Sequence, residues 1–571
     1  MKRMYAFILA AVMLLCCCVG CGKPQGDVSD PVSTPAGDVS TTTTEGATTT
    51  TEDVSADTTA TGDVSADTTT ADVSGTNTTM VKPTTQTPTN GSTTTRPSTN
   101  RTWVQSTTTT TTTTQVTTTT TTATKTTTQT TAKTQSKAKL NGVSLSEYTV
   151  VIADYALDYT IRAAAYICDE IQKRTGVQLE MVTDASEAGP FEHEIVVGET
   201  NRNISKTLNA NTQGLEFALV ANGGHVAMEG DYFVIAAAAY YFIQTYITGE
   251  AASTSVPATT TVCQPIVKAP KNYIFLIGDG MGVNQTKLFE GFRADVNTDY
   301  SDGERAFYGY SFPYMGYSRT DSLSGTTDSA AGGTALSTGY KTTNGRVGRD
   351  KDKKDLLSLT ELAGSLGMAT AVMSTESPIG ATPASFSAHA DSRDHSDQLY
   401  ASQNELTNQY GTIINCQFDF YNVYGMELLE GYVQKTLTKL SENEKGFFLM
   451  YEEAHIDKHC HSNDAGKTFK ALVRFNQAIG LFMEYAFYHP DTFVLITADH
   501  ETGGLKQSGS SFTYSHGNHT SDDVPVFVYG VGGELFDGKT IENVQIPKTI
   551  ARFWGQRLAA DTDDVYPPLN P

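Results

Sequence analysis

Ile274-Phe275-Leu276-Ile277-Gly278-Asp279-Gly280 is an apolar run that ends on an acid held between two glycines. Three more runs in the C-terminal half end on donor side chains. Gly446-Phe447-Phe448-Leu449-Met450-Tyr451 leads into Glu452, with Asp457 and His461 within one or two helical turns, and Thr492-Phe493-Val494-Leu495-Ile496-Thr497-Ala498 leads into Asp499-His500. Ala369-Thr370-Ala371-Val372-Met373 leads toward Thr382 and Arg393. In an open α/β sheet, ligands collect at the carboxyl edge where strands end, so this pattern gathers distant oxygen and imidazole donors into one pocket. Such a pocket suits metal ions and a phosphate.

At 571 residues the chain is long enough for more than one domain, but its first quarter cannot join a core. Residues 1–21 read as an export signal: Lys2 and Arg3 give a positive start, and Ala6 to Leu15 an apolar stretch too short to span a bilayer. Cys16-Cys17-Cys18-Val19-Gly20-Cys21 resembles a bacterial lipoprotein signal, which implies lipidation of Cys21 and attachment to the membrane at the cell surface. Cys18 departs from the aliphatic residue that pattern prefers, and simple secretory cleavage is the alternative.

Residues 22–139 are dominated by Thr, with much Ser, Asp, Gly and Pro, and Asp-Val-Ser recurs at Asp27, Asp38, Asp53, Asp63 and Asp72. A segment with so little apolar area cannot offset the entropy of ordering its backbone, and reads as a disordered stalk. As a flexible coil its ends would lie on the order of 60 Å apart. The net charge of −23 comes without a basic stripe and argues against nucleic acid as a partner. Of the eight Cys, four lie in the signal, and Cys168, Cys263, Cys416 and Cys460 are too dispersed for a zinc ribbon.

A small α/β unit is expected at 140–250. Tyr148 to Ala153, Val177 to Val182 and Glu194 to Val197 are strand-like, while Ile161, Ala164, Cys168 and Ile171 mark one helix face. Phe217-Ala218-Leu219-Val220 and His225-Val226-Ala227-Met228 flank Asn222-Gly223-Gly224 as a hairpin, and an apolar helix covers Tyr232 to Ile247. This order predicts a layer with a core of its own. With Arg174-Thr175-Gly176 and Val197-Gly198, it resembles the non-catalytic N-terminal domain of some bacterial glycoside hydrolases, which implies a surface glycan as partner; a plain packing module is the alternative. A polar linker at 251–269 then leads to a catalytic unit at 270–558 and a tail at 559–571.

Within the catalytic unit, Ile277-Gly278-Asp279-Gly280-Met281-Gly282, Thr327-Asp328-Ser329-Ala330-Ala331, Ala381-Thr382-Pro383-Ala384, Ile456-Asp457-Lys458 with His461, Thr497-Ala498-Asp499-His500-Glu501-Thr502-Gly503-Gly504 and Gly517-Asn518-His519-Thr520 follow in an order that resembles the alkaline phosphatase family. The resemblance implies a three-layer α/β/α sandwich and hydrolysis of phosphate monoesters outside the cell through a phosphoserine. It implies one zinc on Asp457, His461 and His519, a second on Asp279, Asp499 and His500, and a magnesium on Asp279, Thr382 and Glu452. Ser329 becomes the nucleophile, coordinated to the second zinc, and Arg393 the clamp on two phosphate oxygens.

The chemistry accounts for these residue types on its own terms. A phosphate monoester repels an anionic nucleophile, so its oxygens must be neutralised and its leaving alkoxide stabilised. Two zinc ions about 4 Å apart serve the attacking and leaving oxygens together. Mixed Asp and His ligands suit zinc, and an all-oxygen set suits magnesium. Asp457 and His461, at i and i+4, share a helix face, and Ser329 would open a helix whose amides favour an anion.

Some positions depart from the family pattern. Gly380 stands where relatives carry an Asp or His, which predicts a looser third-metal site. Lys458 is a residue that some bacterial members use to reach the phosphate through water; Glu453 replaces a usual Gly, and Cys460 reads as a packing residue beside His461. Ser329-Ala330-Ala331 lacks the Cys/Ser-x-Pro-x-Arg context of a sulfatase. The alternatives are a phosphodiesterase or phosphonate monoester hydrolase of the same superfamily, against which Ser329 and Arg393 argue, and a non-catalytic surface glycan-binding protein, against which the full ligand set argues.

Overall fold

A computed structural model of the protein describes residues 136–186, 189–208, 212–291, 306–416 and 426–558. The export signal with Cys21, the stalk up to residue 135 and the tail from 559 lie outside the described residues. All described residues fall in one compact unit, Thr122–Pro571.

A small six-stranded sheet comes first. It is built from β1 (Thr149–Ile152), β2 (Met181–Thr183), β3 (Glu194–Val197), β4 (Phe217–Asn222), β5 (His225–Gly230) and β6 (Thr261–Cys263), in the order β2-β1-β3-β5-β4-β6. The first four neighbours are parallel, and β4 turns back as the expected hairpin partner of β5. Helices α1 (Asp158–Thr175) and α2 (Val234–Tyr246) accompany it. The segment 177–180 stays irregular, so the second strand is shorter than its sequence suggests.

The large sheet has eight strands: β7 (Asn272–Gly278), β8 (Tyr314–Arg319), β9 (Ala369–Ser374), β10 (Ile413–Cys416), β11 (Phe447–Glu453), β12 (Thr492–Thr497), β13 (Val524–Tyr529) and β14 (Thr540–Glu542), ordered β10-β9-β11-β7-β12-β13-β8-β14. Only β13 runs against the others. Around it lie α3 (Ser329–Thr338), α4 (Leu359–Ser365), α5 (Ala381–Ser385), α6 (Met426–Leu440), α7 (His455–His461), α8 (Ala465–Tyr488) and α9 (Gln545–Phe553).

Alternation along β7 sets the three layers. Tyr273, Phe275 and Ile277 pack with Leu336, Leu362 and Ile550 on one face, while Ile274 and Leu276 pack with Phe475, Ile479 and Phe482 of α8 on the other. Because both faces are covered by helices, the central strands read as unbroken apolar runs. This is the expected α/β/α sandwich.

The small sheet does not keep a wholly separate core. The cluster that holds Tyr148, Ile167, Ile235 and Phe242 continues into Phe482, Phe487 and Tyr529 of the large layer. The cause is α2, whose sequence is apolar all round and which buries residues on every side. Only Val151, Val196, Ile204, Leu208, Ala218, Val220 and Ala227 form a small cluster apart. The polar stretch read as a linker also joins the architecture: Ser253–Thr254 pairs in parallel with Lys139–Leu140, and β6 pairs with β4.

One ion-pair network ties the two layers. Arg162 of α1 donates from Nε and Nη2 to Glu484 of α8, both at 2.8 Å, and from Nη1 to Glu430 of α6 at 2.9 Å. Phe233 stacks on Phe487 at 5.9 Å between centroids beside it. Removing one partner strands the other in a poorly solvated place, so Arg162→Ala should lower stability by about 3 kcal/mol. In urea unfolding, the loss for the Arg162→Ala, Glu484→Ala pair should fall clearly short of the sum of the single losses.

Candidate active site

The carboxyl edge of the large sheet collects the donors. Asp279 follows β7, Glu452 is the second-last residue of β11, and Asp499 and His500 follow β12. His519 precedes β13, the one reversed strand, so that strand's amino end meets the same edge; a two-residue ladder, Thr502 opposite His519 and Glu501 opposite Thr520, fixes it there. Gly280 has φ 72°, and a Cβ on it would lie 2.8 Å from the Asp457 Cα. The missing side chain therefore lets α7 bring Asp457 against the end of β7.

Asp457, His461 and His519 bring one ligand atom each within 4.8 Å of one another. The Nδ1 atoms of His461 and His519 face carbonyl oxygens, of Gly517 at 2.7 Å and Thr327 at 2.9 Å. A carbonyl only accepts, so each Nδ1 carries a proton, and in the neutral ring each Nε2 keeps its lone pair. Those two Nε2 atoms stand 3.1 Å apart, with Asp457 oxygens at 3.2 and 3.5 Å. Lone pairs converging in this way call for a cation between them. Where no cation answers that demand a proton does, and the hydrogen bond from His461 to Asp457 raises the imidazole to about 9.

Asp279, Asp457 and His500 likewise bring one ligand atom each within 4.8 Å of one another, and Asp499 Oδ2 lies 3.2 Å from His500 Nε2. Thr502 gives its hydroxyl proton to Asp457 Oδ1 at 2.6 Å, so it accepts from His500 Nδ1 at 3.2 Å. The His500 Nε2 lone pair thus faces Ser329 Oγ at 3.3 Å and Asp279 Oδ1 at 3.6 Å. Burial, with the charge on His519 beside it, pushes His500 well below the usual imidazole range. Burial and Asp457 push Asp499 up to about 7, and burial with Asp499 pushes Asp279 up as well.

Ser329 opens α3, capped by Asp328, whose Oδ1 accepts from Ala331 N at 3.0 Å. The other oxygen of Asp328 accepts from Gly345 N at 2.9 Å and faces Arg393 Nη1 at 3.5 Å. Asp328 thereby couples the serine turn to the guanidinium, which is more than a third exposed and open to an anion. Sequence reading singled out Ser329 and Arg393 but not this acid between them.

Beside these lies an all-oxygen corner of Glu452, Thr382 and Asp279. Glu452 Oε1, Thr382 Oγ1, Asp279 Oδ1 and Asp499 Oδ2 are buried without a hydrogen-bond partner, while Glu452 Oε2 accepts from Ser374 Oγ. Unpaired buried oxygens of this kind are costly unless a cation meets them, so the donor set fits divalent metal. Lys458 Nζ pairs with Glu376 Oε2 at 2.6 Å.

Two departures from the family pattern have structural explanations. Glu453, at the end of β11, is an ion-pair anchor: its carboxylate accepts from Arg474 Nε at 2.6 Å and from His455 N at 3.1 Å. Cys460 is buried near the Tyr514 hydroxyl at 3.4 Å, and burial raises its thiol to about 12, so it packs rather than ligates. Sequence reading passed over Thr502, which sets the His500 tautomer. It also passed over Glu501, whose carboxylate accepts from Gln285, Gly504, Leu505 and Thr520 and braces the loop. Both lie inside a quoted motif, and their adjacency to Asp499-His500 was the available signal.

The family model described as alkaline phosphatase matches residues 270–421 and 427–517, which include every residue of the site except His519. Alkaline phosphatase 4 of Bacillus subtilis is 26% identical over 327 residues, 48% of this chain and 70% of its own length. Alkaline phosphatase 3 of the same organism is 27% identical over 285 residues, 41% of this chain and 62% of its own length. The solved alkaline phosphatase from the Antarctic bacterium TAB5 is 27% identical, with a TM-score of 0.45 over 51% of this chain and 99% of that one. The matched residues between 270 and 517 and the donor edge they build therefore carry the likeness to the alkaline phosphatase superfamily of metal-dependent phosphatase hydrolases.

Proposed function

We propose that the protein hydrolyses phosphate monoesters outside the cell, through a phosphoserine on Ser329, with two zinc ions and one magnesium ion as cofactors. Asp457, His461 and His519 would hold the first zinc, Asp279, Asp499 and His500 the second, and Asp279, Thr382 and Glu452 the magnesium. One observation carries the reading: the Nε2 lone pairs of His461, His500 and His519 all point into the same acid-lined pocket as Ser329 Oγ. Bound there, the ions supply positive charge that offsets phosphate oxygens and lowers the pKa of a neighbouring hydroxyl or water.

The chain's own groups do the rest. The α3 amides behind Ser329 favour the incoming anion, and Arg393 grips two phosphate oxygens with its planar fork. Asp328 holds that fork on the nucleophile's side. Ser329 Oγ then bonds to phosphorus in line with the departing ester oxygen, and water later cleaves the phosphoserine. Lys458, held by Glu376, would reach the phosphate through water. The export signal, Cys21 and the Thr-rich stalk support a lipid-anchored head that works at the cell surface on diffusible monoesters.

Residues 136–571 should contain about two zinc ions per chain and hydrolyse p-nitrophenyl phosphate much faster than bis-p-nitrophenyl phosphate, most rapidly at alkaline pH; comparable rates would favour a diesterase. Ser329→Ala should form no acid-stable phosphoenzyme while keeping its metals, and Arg393→Ala should lose about 2 kcal/mol of transition-state stabilisation, roughly thirtyfold in kcat/KM, with weaker inhibition by phosphate. For the anchor, Cys21→Ala should abolish incorporation of labelled palmitate into the full chain; unchanged labelling would remove Cys21 from that role.

A further inference from the structure

Gly380 is a glycine without a backbone reason. It caps α5 with φ −54° and ψ 154°, angles open to any residue. A Cβ built on it would fall on the carboxylate of Glu376, overlapping Oε1 and Cδ and lying 2.9 Å from Cγ. The volume that a side chain at 380 would fill is therefore occupied by a carboxylate from four residues upstream.

That carboxylate lies near the all-oxygen corner, close enough for its charge to act on both Glu452 and Asp279. The Glu376 backbone is tied to the same place: its N donates to Ser374 Oγ at 3.0 Å, and that hydroxyl donates to Glu452 Oε2. Oε2 of Glu376 accepts from Lys458 Nζ, while Oε1 is the atom turned to the place above Gly380. Buried Glu452 Oε1, Thr382 Oγ1 and Asp279 Oδ1 are without hydrogen-bond partners in the same corner. Asp279, Glu376 and Glu452 thus set three carboxylates against the one ammonium of Lys458, an acidic surplus that suits a divalent cation.

We propose that Glu376 supplies the carboxylate of the third-ion site that Gly380 cannot, with Gly380 serving as the gap that admits it. The proposal rests on the magnesium site of the reading above. It makes Glu376 a positioning residue for the hard cation, directly or through one water of its shell. It also explains Lys458: the ammonium holds Oε2 and leaves Oε1 for the ion.

The test measures Mg2+ binding by calorimetry on zinc-loaded residues 136–571, with zinc content as the check on folding. Glu376→Ala should weaken Mg2+ binding at least tenfold while keeping two zinc ions. Gly380→Asp in the Glu376→Ala background should recover most of the loss, because the new carboxylate then finds the volume empty. Glu376→Gln, which keeps the size and an oxygen for Lys458, should also bind Mg2+ at least several-fold more weakly. It takes the place of Glu376→Ala if that variant loses its zinc. Wild-type affinity in both single variants would overturn the proposal, and so would loss without recovery in the double variant, which would mark Glu376 as a structural partner of Lys458. If the wild-type protein itself took up no third ion, the magnesium reading would fall and Glu376 with it; the earlier failures leave that ion in place, so the two cases are distinct.

Discussion

Everything at the sheet edge turns on the electrostatics of burying acids together. Asp279, Asp457, Asp499 and Glu452 are all nearly inaccessible, and three imidazoles aim their Nε2 atoms among them. In a low-dielectric pocket such an arrangement is strongly unfavourable unless positive charge lies between the groups. The raised Asp279 and Asp499, the depressed His500 and the raised His461 express one fact: the pocket is built around cations. The remaining fold can be read as scaffolding for that unfavourable cluster.

Scaffolding of this sort needs rigid supports and close approaches. The strands that end at the edge are covered on both faces, so their termini are fixed by a packed core rather than by loops. Thr502 illustrates the finer level of control: a single hydroxyl, committed to Asp457, determines which nitrogen of His500 is free. Asp328 does similar work on the other side, joining the cap of α3 to Arg393.

The central sheet and its donors were legible in the sequence because strands buried on both faces leave continuous apolar runs, and because Asp279, Glu452, Asp499 and His500 sit directly at the ends of those runs. Residues whose part depends on long-range geometry were not. Glu376 could not be assigned from spacing, since its significance comes from the volume left by Gly380. The expectation of a separate core at 140–250 met a helix, α2, that is apolar all round; sequence shows the absence of a polar face but not which second partner covers it. Likewise the Thr-rich 251–262 looked like a spacer, yet Thr261–Cys263 finds an edge strand to pair with, because backbone hydrogen bonding is indifferent to a polar side chain.

The position of α2 bears on how such a chain can change over time. An appended module joined by a hinge can be gained, lost or traded as a cassette, its neighbour untouched. Here Phe233 and Ile235 of the smaller sheet's segment share one hydrophobic interior with Phe482 and Phe487 of the larger. Any shuffling event that cut between them would expose an oily wound on the donor and the recipient alike, so the two sheets are constrained to be inherited as a single piece.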